Sequence, residues 1–239
     1  MTTGSGAQKF WLQTLSAASA FTQWVIAEIA PWLGQRVLEV GCGIGTYSLE
    51  IATGTRQLVC VELEKAFVEE FVRRVGNRRN VRVICEDANL LDTTPDLEGF
   101  DTVLLLDVLE HVENDIGMLV NLAARLVPGG YMIVKVPAMP SIYSAMDIAI
   151  GHLRRYDHDS LRDVLLRSGV EIVRIRSFNA LAVLGWWWNG RVLGRVAPPG
   201  EQIAGFNRLV PAIRAFDRFG RLFCGISIIA IARRPLGTA

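Results

Sequence analysis

The chain has 239 residues, 51% of them hydrophobic and 21% charged, which excludes intrinsic disorder and provides the core of one large domain or two small ones. The net charge of +1 is unevenly distributed, since residues 1–170 carry 15 basic and 21 acidic groups whereas residues 171–239 carry 10 and 3. The last third of the chain is therefore basic.

The hydrophobic pattern predicts one or two helices over Gln8–Trp32, followed by short β-branched runs that alternate with amphipathic stretches. The predicted strands are Arg36–Val40, Gln57–Val61, Val81–Cys85, Thr102–Leu106, Tyr131–Val136, Val170–Arg176 and Ile226–Ala232. The predicted helices between the first five strands are Gly45–Ala52, Lys65–Val75 and Asp115–Leu126. Because this alternation implies parallel strands joined by crossover helices, the fold class predicted is α/β with a doubly wound, mostly parallel sheet.

The last two predicted strands are separated by residues 177–225, which contain no clear strand. This segment holds three of the six tryptophans and most of the excess arginines. We therefore predict a single domain over residues 1–239, with an N-terminal helical cap over residues 1–32 and a basic, Trp-rich insertion over residues 177–225.

Cysteine usage and hydropathy predict the compartment. The four cysteines are scattered, with no CxxC pair and no cluster at zinc-ligand spacing, which is typical of a reduced, cytoplasmic protein. No secretory signal pattern is present at the N-terminus. The longest apolar run, Leu222–Ala232, is about half of the roughly 20 residues that a spanning helix needs. Contact with a membrane surface stays open, because the tryptophan triplet at residues 186–188 lies in the basic region.

A glycine-rich turn follows the first predicted strand. Val37–Val40 leads into Gly41-Cys42-Gly43-Ile44-Gly45, after which a helical pattern begins. A strand, a glycine-rich turn and a helix in this order are typical of nucleotide binding, because glycine lets a ligand approach the backbone closely. The spacing is G-x-G-x-G rather than the G-x-G-x-x-G of dinucleotide-binding sites.

Acidic residues follow the next three strands. Glu62 ends the second strand, Glu86-Asp87 follows the third, and Asp107 follows the fourth. The carboxyl ends of parallel strands meet at one edge of a sheet, where open α/β sheets bind ligands. A carboxylate at the second strand end can accept hydrogen bonds from both ribose hydroxyls, and one after the third strand can accept from an adenine amine.

On these residues the chain resembles the class I S-adenosylmethionine-dependent methyltransferases between about Arg36 and Val136. The stretches that carry the resemblance are VLEVGCGIG (37–45), VEL (61–63), EDA (86–88), DVLEHV (107–112) and PGGYMIVKVP (128–137). The resemblance implies S-adenosylmethionine as cofactor and a seven-stranded sheet whose last strand is antiparallel and lies between the fifth and sixth.

The same resemblance implies roles for individual residues. The glycines would wrap the methionine part, Glu62 would hold the ribose, Asp87 and Ala88 would contact adenine, and Asp107 would lie near the methionine amino group. The predicted cofactor-binding residues are Glu39, Gly41, Cys42, Gly43, Gly45, Glu62, Leu63, Asp87, Ala88 and Asp107. Cys42 is interpreted as a small filler rather than a reactive thiol.

The run Asp107–His111 has several interpretations. His111 is as readily a capping histidine as a general base, and Glu110 is also typical of a solvated helix face. A similar run can ligate a divalent metal in the ubiquinone-pathway O-methyltransferases, which this stretch resembles. We nevertheless include no metal in the predicted site.

The acceptor side is predicted between the fifth and sixth strands. A Gly-His-x-Arg-Arg-Tyr run at residues 151–156 is similar to a subgroup of bacterial methyltransferases. It concentrates two cations, an imidazole and a phenol, and arginine binds carboxylate or phosphate with a bidentate fork. The alternative is a salt-bridged structural segment, with Arg155 paired to Asp157 or Asp159. The predicted catalytic residues are His152, His111 and Tyr156, and the predicted substrate-binding residues are Tyr143, Arg154, Arg155 and Trp187.

The predicted function is methyl transfer from S-adenosylmethionine to a small or lipid-like acceptor. The basic, Trp-rich insertion suits an acceptor that is partly hydrophobic and anionic, or it suits anionic lipid headgroups. Nucleic acid is not predicted as a partner, because the arginine surplus is local. Three alternatives stay open: a cofactor-binding module that acts through the insertion at a membrane or partner, a nicotinamide oxidoreductase, and tryptophans that serve only a core or a dimer interface.

Overall fold

The computed structural model describes residues 4–54, 56–88, 91, 97–220 and 224–237. Seven strands form one sheet: β1 (Arg36–Val40), β2 (Gln57–Glu62), β3 (Val81–Cys85), β4 (Phe100–Leu106), β5 (Leu126–Pro137), β6 (Glu171–Phe178) and β7 (Ser227–Arg233). The order across the sheet is β3-β2-β1-β4-β5-β7-β6. The order reverses between β1 and β4, which is where ligands bind in open α/β sheets.

The chain direction within the sheet confirms the predicted fold. The pairs β1–β2, β2–β3, β1–β4 and β4–β5 are parallel, whereas β7 is antiparallel to both β5 and β6. The last strand therefore lies between the fifth and sixth, as the resemblance implied. Strand β5 begins at Leu126, five residues before its predicted start, because Leu126 pairs with Phe100 across a register irregularity.

Nine helices are described: α1 (Gly4–Ala17), α2 (Ser19–Ile29), α3 (Thr46–Ile51), α4 (Lys65–Val75), α5 (Asp115–Arg125), α6 (Ala145–Ala149), α7 (His158–Arg167), α8 (Ala182–Trp187) and α9 (Gly200–Gly220). Short 3-10 turns cover Ala30–Trp32, Leu109–His111 and Pro140–Ile142, and a π-helical turn over Trp188–Val192 continues α8. None of the described helices is both long enough and apolar enough to cross a membrane.

Two apolar layers cover the sheet, one on each face. Leu119 and Leu122 of α5 and Leu161 and Leu165 of α7 pack on one face. Helices α2, α3, α4 and α9 pack on the other. Strand β4 is apolar along almost its whole length, with Val103, Leu104 and Leu105 fully buried, because a strand covered on both faces has no polar side.

The N-terminal helices and the insertion between β6 and β7 meet on the second face. Trp24 of α2 is 1% exposed, and its ring centroid lies 4.3 Å from that of Phe178 at the end of β6. The ring centroids of Phe21 of α2 and Phe206 of α9 are 6.0 Å apart. The partly buried Phe206 and the buried Val210 and Ile213 are spaced three to four residues apart, which is the spacing of one helix face. The described part of the insertion is thus helical and packs on the N-terminal helices.

Candidate active site

The glycine-rich turn after β1 presents its backbone to a large cavity. Gly41, Gly43 and Gly45 have φ angles of +67°, +55° and +78°. At Gly45 a side chain is excluded twice, because L residues avoid this conformation and because an added Cβ would lie 2.1 Å from the ring of Phe71. The amide of Gly41 donates to the carbonyl of Val61 at 2.8 Å, which fixes the turn to β2. Gly41 and Gly43 line the cavity, so a ligand can approach the backbone closely there, whereas Gly45, also predicted to bind the cofactor, is absent from the described wall and packs against Phe71.

The Glu62 carboxylate at the end of β2 is held by two backbone amides. Gly43 N–H donates to Oε2 at 2.8 Å, and Glu64 N–H donates to Oε1 at 2.9 Å. Glu62 and the adjacent Leu63 both line the cavity. Because each carboxylate oxygen has two lone pairs, Glu62 can also accept hydrogen bonds from a pair of ligand hydroxyls.

Two hydroxyl groups at the start of α3 line the same part of the cavity. The buried Thr46 Oγ1 and Tyr47 Oη make no hydrogen bond within the part of the chain that the structure describes. Buried polar atoms in proteins are nearly always satisfied by a partner. These two atoms can therefore form hydrogen bonds to a polar ligand. Together with Glu62 they fit the ribose and amino-acid parts of S-adenosylmethionine.

Residues at the ends of β3, β4 and β5 complete this side of the cavity. Asp87, Ala88 and Asp107 all line it, as predicted from their positions after the strands. Sequence reasoning did not include Lys135 of β5, whose Nζ lies 2.5 Å from both carboxylate oxygens of Asp107. Lys135 is 3% exposed, so its charge is compensated inside the protein by Asp107.

Glu39 and Cys42 line the cavity near the turn. Burial, together with the nearby Glu62 charge, raises the pKa of Glu39 to about 7, although the neighbouring Ser48 hydroxyl opposes the shift. The pKa of the Cys42 thiol is raised by its hydrogen bond to Cys60 and by burial. Cys42 is therefore protonated at neutral pH, which agrees with its interpretation as a small filler rather than a nucleophile.

A buried cluster around His152 lies on the other side of the cavity. His152 Nδ1 lies 2.9 Å from Asp147 Oδ1, and its Nε2 lies 3.5 Å from Glu110 Oε1. Burial raises the pKa of Asp147, but hydrogen bonds from His152 and Arg155 outweigh that effect and leave the pKa lowered. Asp147 is thus a carboxylate, and the proton of the shared hydrogen bond is on His152 Nδ1.

Glu110 is fully buried, and neither of its carboxylate oxygens makes a hydrogen bond to a described residue. Glu110 Oε1 and His152 Nε2 are close enough for an ion pair, but they do not form a hydrogen bond. Burial, followed by the Asp107 charge, raises the pKa of Glu110 well above its usual range. This burial corrects the interpretation of Glu110 as part of a solvated helix face.

His111 is the second imidazole of the cavity. Its Nδ1 lies 3.0 Å from the carbonyl oxygen of Gly151, and its ring centroid lies 4.9 Å from that of His152. Because a carbonyl oxygen only accepts, Nδ1 carries the proton and Nε2 has the free lone pair. Burial and the neighbouring His152 lower the pKa of His111 to about 4, so the ring is neutral at physiological pH.

Arg155 lies in the cavity wall with its charge partly compensated. Its Nε donates to Asp147 at 2.7 Å and its Nη1 to the carbonyl of Ala138 at 2.7 Å. The guanidinium carbon lies 4.6 Å from the ring centroid of Trp186, and that ring in turn lies 5.6 Å from Trp11 of α1. The structure thus pairs Arg155 with Asp147 rather than with Asp157 or Asp159.

Four residues predicted on the acceptor side are absent from the described cavity wall: Tyr143, Arg154, Tyr156 and Trp187. The Tyr143 hydroxyl donates to the carbonyl of His152, whereas Arg154 and Tyr156 both donate to the Asp115 carboxylate. Trp187 is 46% exposed on the outside of α8, and its neighbour Trp186 lines the cavity instead. As a correction, we leave these four out of the proposed set of direct ligands.

One cavity of about 930 Å³ is lined by six of the charged or titratable residues described above: Glu62, Asp87, Asp107, His111, His152 and Arg155. Glu62, Asp87 and Asp107 come from the carboxyl ends of β2, β3 and β4, whereas His111, His152 and Arg155 come from the segments that follow β4 and β5. The rest of the wall is largely apolar and includes Trp11, Leu12, Leu15, Ile203 and Phe206. The cavity therefore extends from the sheet edge to the N-terminal helices and the insertion.

Sequence reasoning missed several polar residues of the cavity and its supports. Lys135 has a detectable signal, because it is the single charged residue within the apolar strand Tyr131–Pro137. Asp147 has none, since nothing in the sequence around it distinguishes a buried acidic residue from an exposed one. Asn179 and Asn189 line the cavity from the insertion and are 2% and 1% exposed.

Three side chains of this site can together offer ligands to a metal ion. One ligand atom from each of Glu110, His111 and His152 lies within 4.8 Å of the others. Asp107, which belongs to the metal-ligating run in the family resemblance, pairs with Lys135 instead. The donor set in this structure is therefore two imidazoles and one carboxylate.

Comparison with known proteins agrees with this geometry. A family model described as "Methyltransferase domain" matches residues 38–132. Over 98 residues the chain is 31% identical to a ubiquinone biosynthesis O-methyltransferase of Coxiella burnetii, a match that covers 41% of each protein. A tRNA U34 carboxymethyltransferase of Pseudoalteromonas translucida is 29% identical over 114 residues, which is 46% of this chain and 34% of that protein. The matches thus span less than half the length of these relatives.

A solved structure extends the fold comparison to most of the chain. The N-methyltransferase NodS from Bradyrhizobium japonicum, in complex with S-adenosyl-L-homocysteine, has a TM-score of 0.58 at 14% identity and covers 90% of this chain and 85% of its own. At this identity the likeness shows the fold. Residues 38–132 thus match a methyltransferase domain model, and the strand order of the whole sheet is the one implied by the resemblance to the class I, S-adenosylmethionine-dependent type.

Proposed function

We propose that the protein transfers the methyl group of S-adenosylmethionine to a small or lipid-like acceptor that is partly hydrophobic and anionic. The observation that carries the proposal is the single cavity, which joins the cofactor-side carboxylates to two imidazoles and an arginine. Its volume of about 930 Å³ lies in the upper range of small-molecule sites, which fits a cofactor and an acceptor together.

The residues on the cofactor side bind S-adenosylmethionine and orient it. Glu62 accepts from the ribose hydroxyls, Asp87 and Ala88 contact adenine, and the backbone of the glycine-rich turn lies against the methionine part. When bound, S-adenosylmethionine supplies an already activated methyl group on its sulfonium sulfur. The protein must then align the acceptor atom opposite the sulfur and exclude water, so positioning contributes most of the rate enhancement.

His111 is the stronger candidate for the base that accepts a proton from the acceptor. Its Nδ1 proton is engaged by Gly151, so the lone pair on Nε2 is available at neutral pH. One ring nitrogen of His111 lies within 4.8 Å of a carboxyl oxygen of Glu110, whose pKa is raised well above its usual range by burial. His152 is the second candidate, although Asp147 fixes its Nδ1 proton.

The wall near these histidines supports the proposed acceptor class. Nε and Nη1 of Arg155 are engaged inside the protein, whereas Nη2 makes no hydrogen bond to a described residue and can meet an anionic group. The Trp186 ring centroid lies 4.6 Å from the guanidinium carbon, and Leu12 and Phe206 add apolar surface to the same cavity. This combination suits an aromatic or prenyl-like molecule with a carboxylate or phosphate better than it suits a nucleic-acid strand.

Isothermal titration with S-adenosylhomocysteine, S-adenosylmethionine and NAD tests the cofactor assignment. We expect the two sulfur compounds to bind and NAD not to bind. The double variant Glu62→Ala/Asp87→Ala should abolish binding, whereas Glu64→Ala, which changes an exposed carboxylate outside the cavity wall, should not. Unchanged affinity in the double variant would refute the assignment.

A methyl-release assay on hydrophobic carboxylates and phosphates then tests the reaction. Turnover of any of them supports the proposal. If the protein binds the cofactor tightly but methylates none of a broad set of acceptors, the result would instead favour a cofactor-binding module that acts on a membrane or partner through its insertion.

A further inference from the structure

The two faces of helix α8 meet different surroundings. The inner face of α8 and of the π-helical turn that continues it contributes four residues to the cavity wall: Ala182, Gly185, Trp186 and Asn189. On the outer face, Leu184, Trp187 and Trp188 are 67%, 46% and 52% exposed. A helix that covers a cavity on one side thus presents two tryptophans and a leucine to the outside.

This apolar exposure continues beyond the helix. Val192, Leu193 and Val196 follow on the chain and are each about half exposed, at 46%, 45% and 59%. Single exposed apolar residues are ordinary in proteins, but a group of adjacent ones is typical of an interaction surface. We call residues 184, 187, 188, 192 and 193 the outer α8 face.

The two charged residues in the segment that carries the outer α8 face are both arginines, and the nearest acidic residue after them along the chain is Glu201 at the start of α9. Residues 178–200 contain two arginines, no lysine and no acidic residue. Arg191 and Arg195 are exposed, and neither pairs with a carboxylate in the described part of the chain. Arg191 donates to the carbonyl of Ser141 and Arg195 to the amide oxygen of Asn189, so both keep their full charge at the surface.

We propose that the outer α8 face docks on an anionic lipid bilayer. Tryptophan favours the boundary between headgroups and acyl chains, and each arginine near an anionic surface strengthens binding roughly fivefold. The positive charge distinguishes this partner from a second copy of the chain, because two such faces would repel each other. The docking itself does not depend on the methyltransferase activity.

One consequence of docking rests on the proposed function. Trp186 lines the cavity while Trp187 and Trp188 lie on the outer α8 face, so docking would bring the wall of the acceptor end close to the lipid. A lipid-like acceptor could then pass from the bilayer into the cavity without crossing water.

Co-sedimentation with vesicles tests the docking. The probe is phosphatidylcholine alone against phosphatidylcholine with phosphatidylglycerol, with no cofactor present. We expect the protein to bind the anionic vesicles, to be released by high salt, and to show tryptophan quenching by brominated lipid. Trp187→Ala/Trp188→Ala should weaken binding about tenfold or more and remove most of the quenching, and Arg191→Gln/Arg195→Gln should weaken binding at least about tenfold.

The controls change exposed apolar and charged residues on α5 and α7, away from this face. Val120→Ala/Leu166→Ala removes exposed apolar groups, and Arg162→Gln removes an exposed charge. Both controls should bind like the unchanged protein. The proposal would be overturned if the Trp187/Trp188 variant bound anionic vesicles as well as the unchanged protein does. It would also be overturned if the unchanged protein bound neutral and anionic vesicles equally.

Self-association that disappears in the Trp187/Trp188 variant, without any vesicle binding, would also overturn it in favour of a dimer interface. Vesicle binding by a protein that shows no methyl transfer would leave the docking standing and refute only the proposed function.

Discussion

Nδ1 of His152 lies 2.9 Å from Oδ1 of Asp147, and Arg155 Nε lies 2.7 Å from the same oxygen. Asp147 also accepts hydrogen bonds from Ser144, so one buried carboxylate orients both an imidazole and a guanidinium of the cavity wall. Because Asp147 is fully buried, its charge is stable only with these partners in place. Asp147 is therefore a positioning residue on which the acceptor side of the cavity depends.

Replacement of this carboxylate should be costly. We expect Asp147→Asn to lower the free energy of unfolding by about 3 to 5 kcal/mol, because it leaves the buried Arg155 charge without its partner. Urea unfolding measures the effect. The control is Asp163→Asn, which breaks an exposed pair with Arg167 and should cost less than about 0.5 kcal/mol. A cost as small as that of the control would show that Asp147 does not support the cluster.

Acid should destabilise the fold through His111. Its pKa is lowered from 6.5 to about 4, so the unfolded chain binds a proton more readily than the folded chain does. The stability is therefore full above about pH 6.5 and is lost as the pH falls toward 4, by at most about 3 kcal/mol. Unfolding of His111→Asn between pH 7 and pH 4 should show a smaller loss. An identical pH dependence in the two proteins would contradict this assignment.

Ionisation of Glu39 should destabilise the fold at high pH, the opposite of the effect of His111. Its pKa is raised from 4.5 to about 7, so the folded chain binds the proton more tightly than the unfolded chain does. The associated stability is present below about pH 4.5 and is lost as the pH rises through 7. Glu39→Gln should therefore gain stability over the unchanged protein at pH 8, on the order of 3 kcal/mol, with no gain at pH 4. Thermal unfolding without cofactor at the two pH values checks this.

The fold follows from local patterns that the sequence displays. Apolar β-branched runs locate all seven strands, and only β5 begins more than two residues from its predicted start. The cofactor-side residues are also predictable, because parallel topology brings Glu62, Asp87 and Asp107 to one edge wherever their side chains point.

The acceptor side depends on side-chain direction, which the sequence does not display. Residues 154–156 run extended, and Tyr156 bridges to Ala138. Side chains alternate in extended chain, so Arg154 and Tyr156 reach Asp115 on one side while Arg155 reaches Asp147 on the other. Two adjacent arginines thus have different functions, and no local signal separates them.

The glycine-rich turn offers a test with a close internal control. Gly45→Ala combines a φ of +78° with a Cβ 2.1 Å from Phe71, and we expect a loss of about 3 kcal/mol or more together with weakened cofactor binding. Gly54 has a similar φ of +62° but open space around its Cβ, so Gly54→Ala should cost only about 1 to 2 kcal/mol. Equal losses would show that the contact with Phe71 does not matter.

The histidines of the cavity can be separated from each other by their effects on turnover. If His111 is the base, His111→Ala should lower kcat about 100-fold or more without changing the affinity for S-adenosylhomocysteine, because the imidazole faces the acceptor rather than the cofactor. His158→Ala is the control, since His158 lies outside the cavity wall and contacts Ser177. His152→Ala should also lower kcat, through lost orientation of the cluster around Asp147. Normal turnover by both His111→Ala and His152→Ala would refute a histidine base. If His111→Ala alone is normal, the free lone pair on Nε2 has no part in the reaction and His152 is the base.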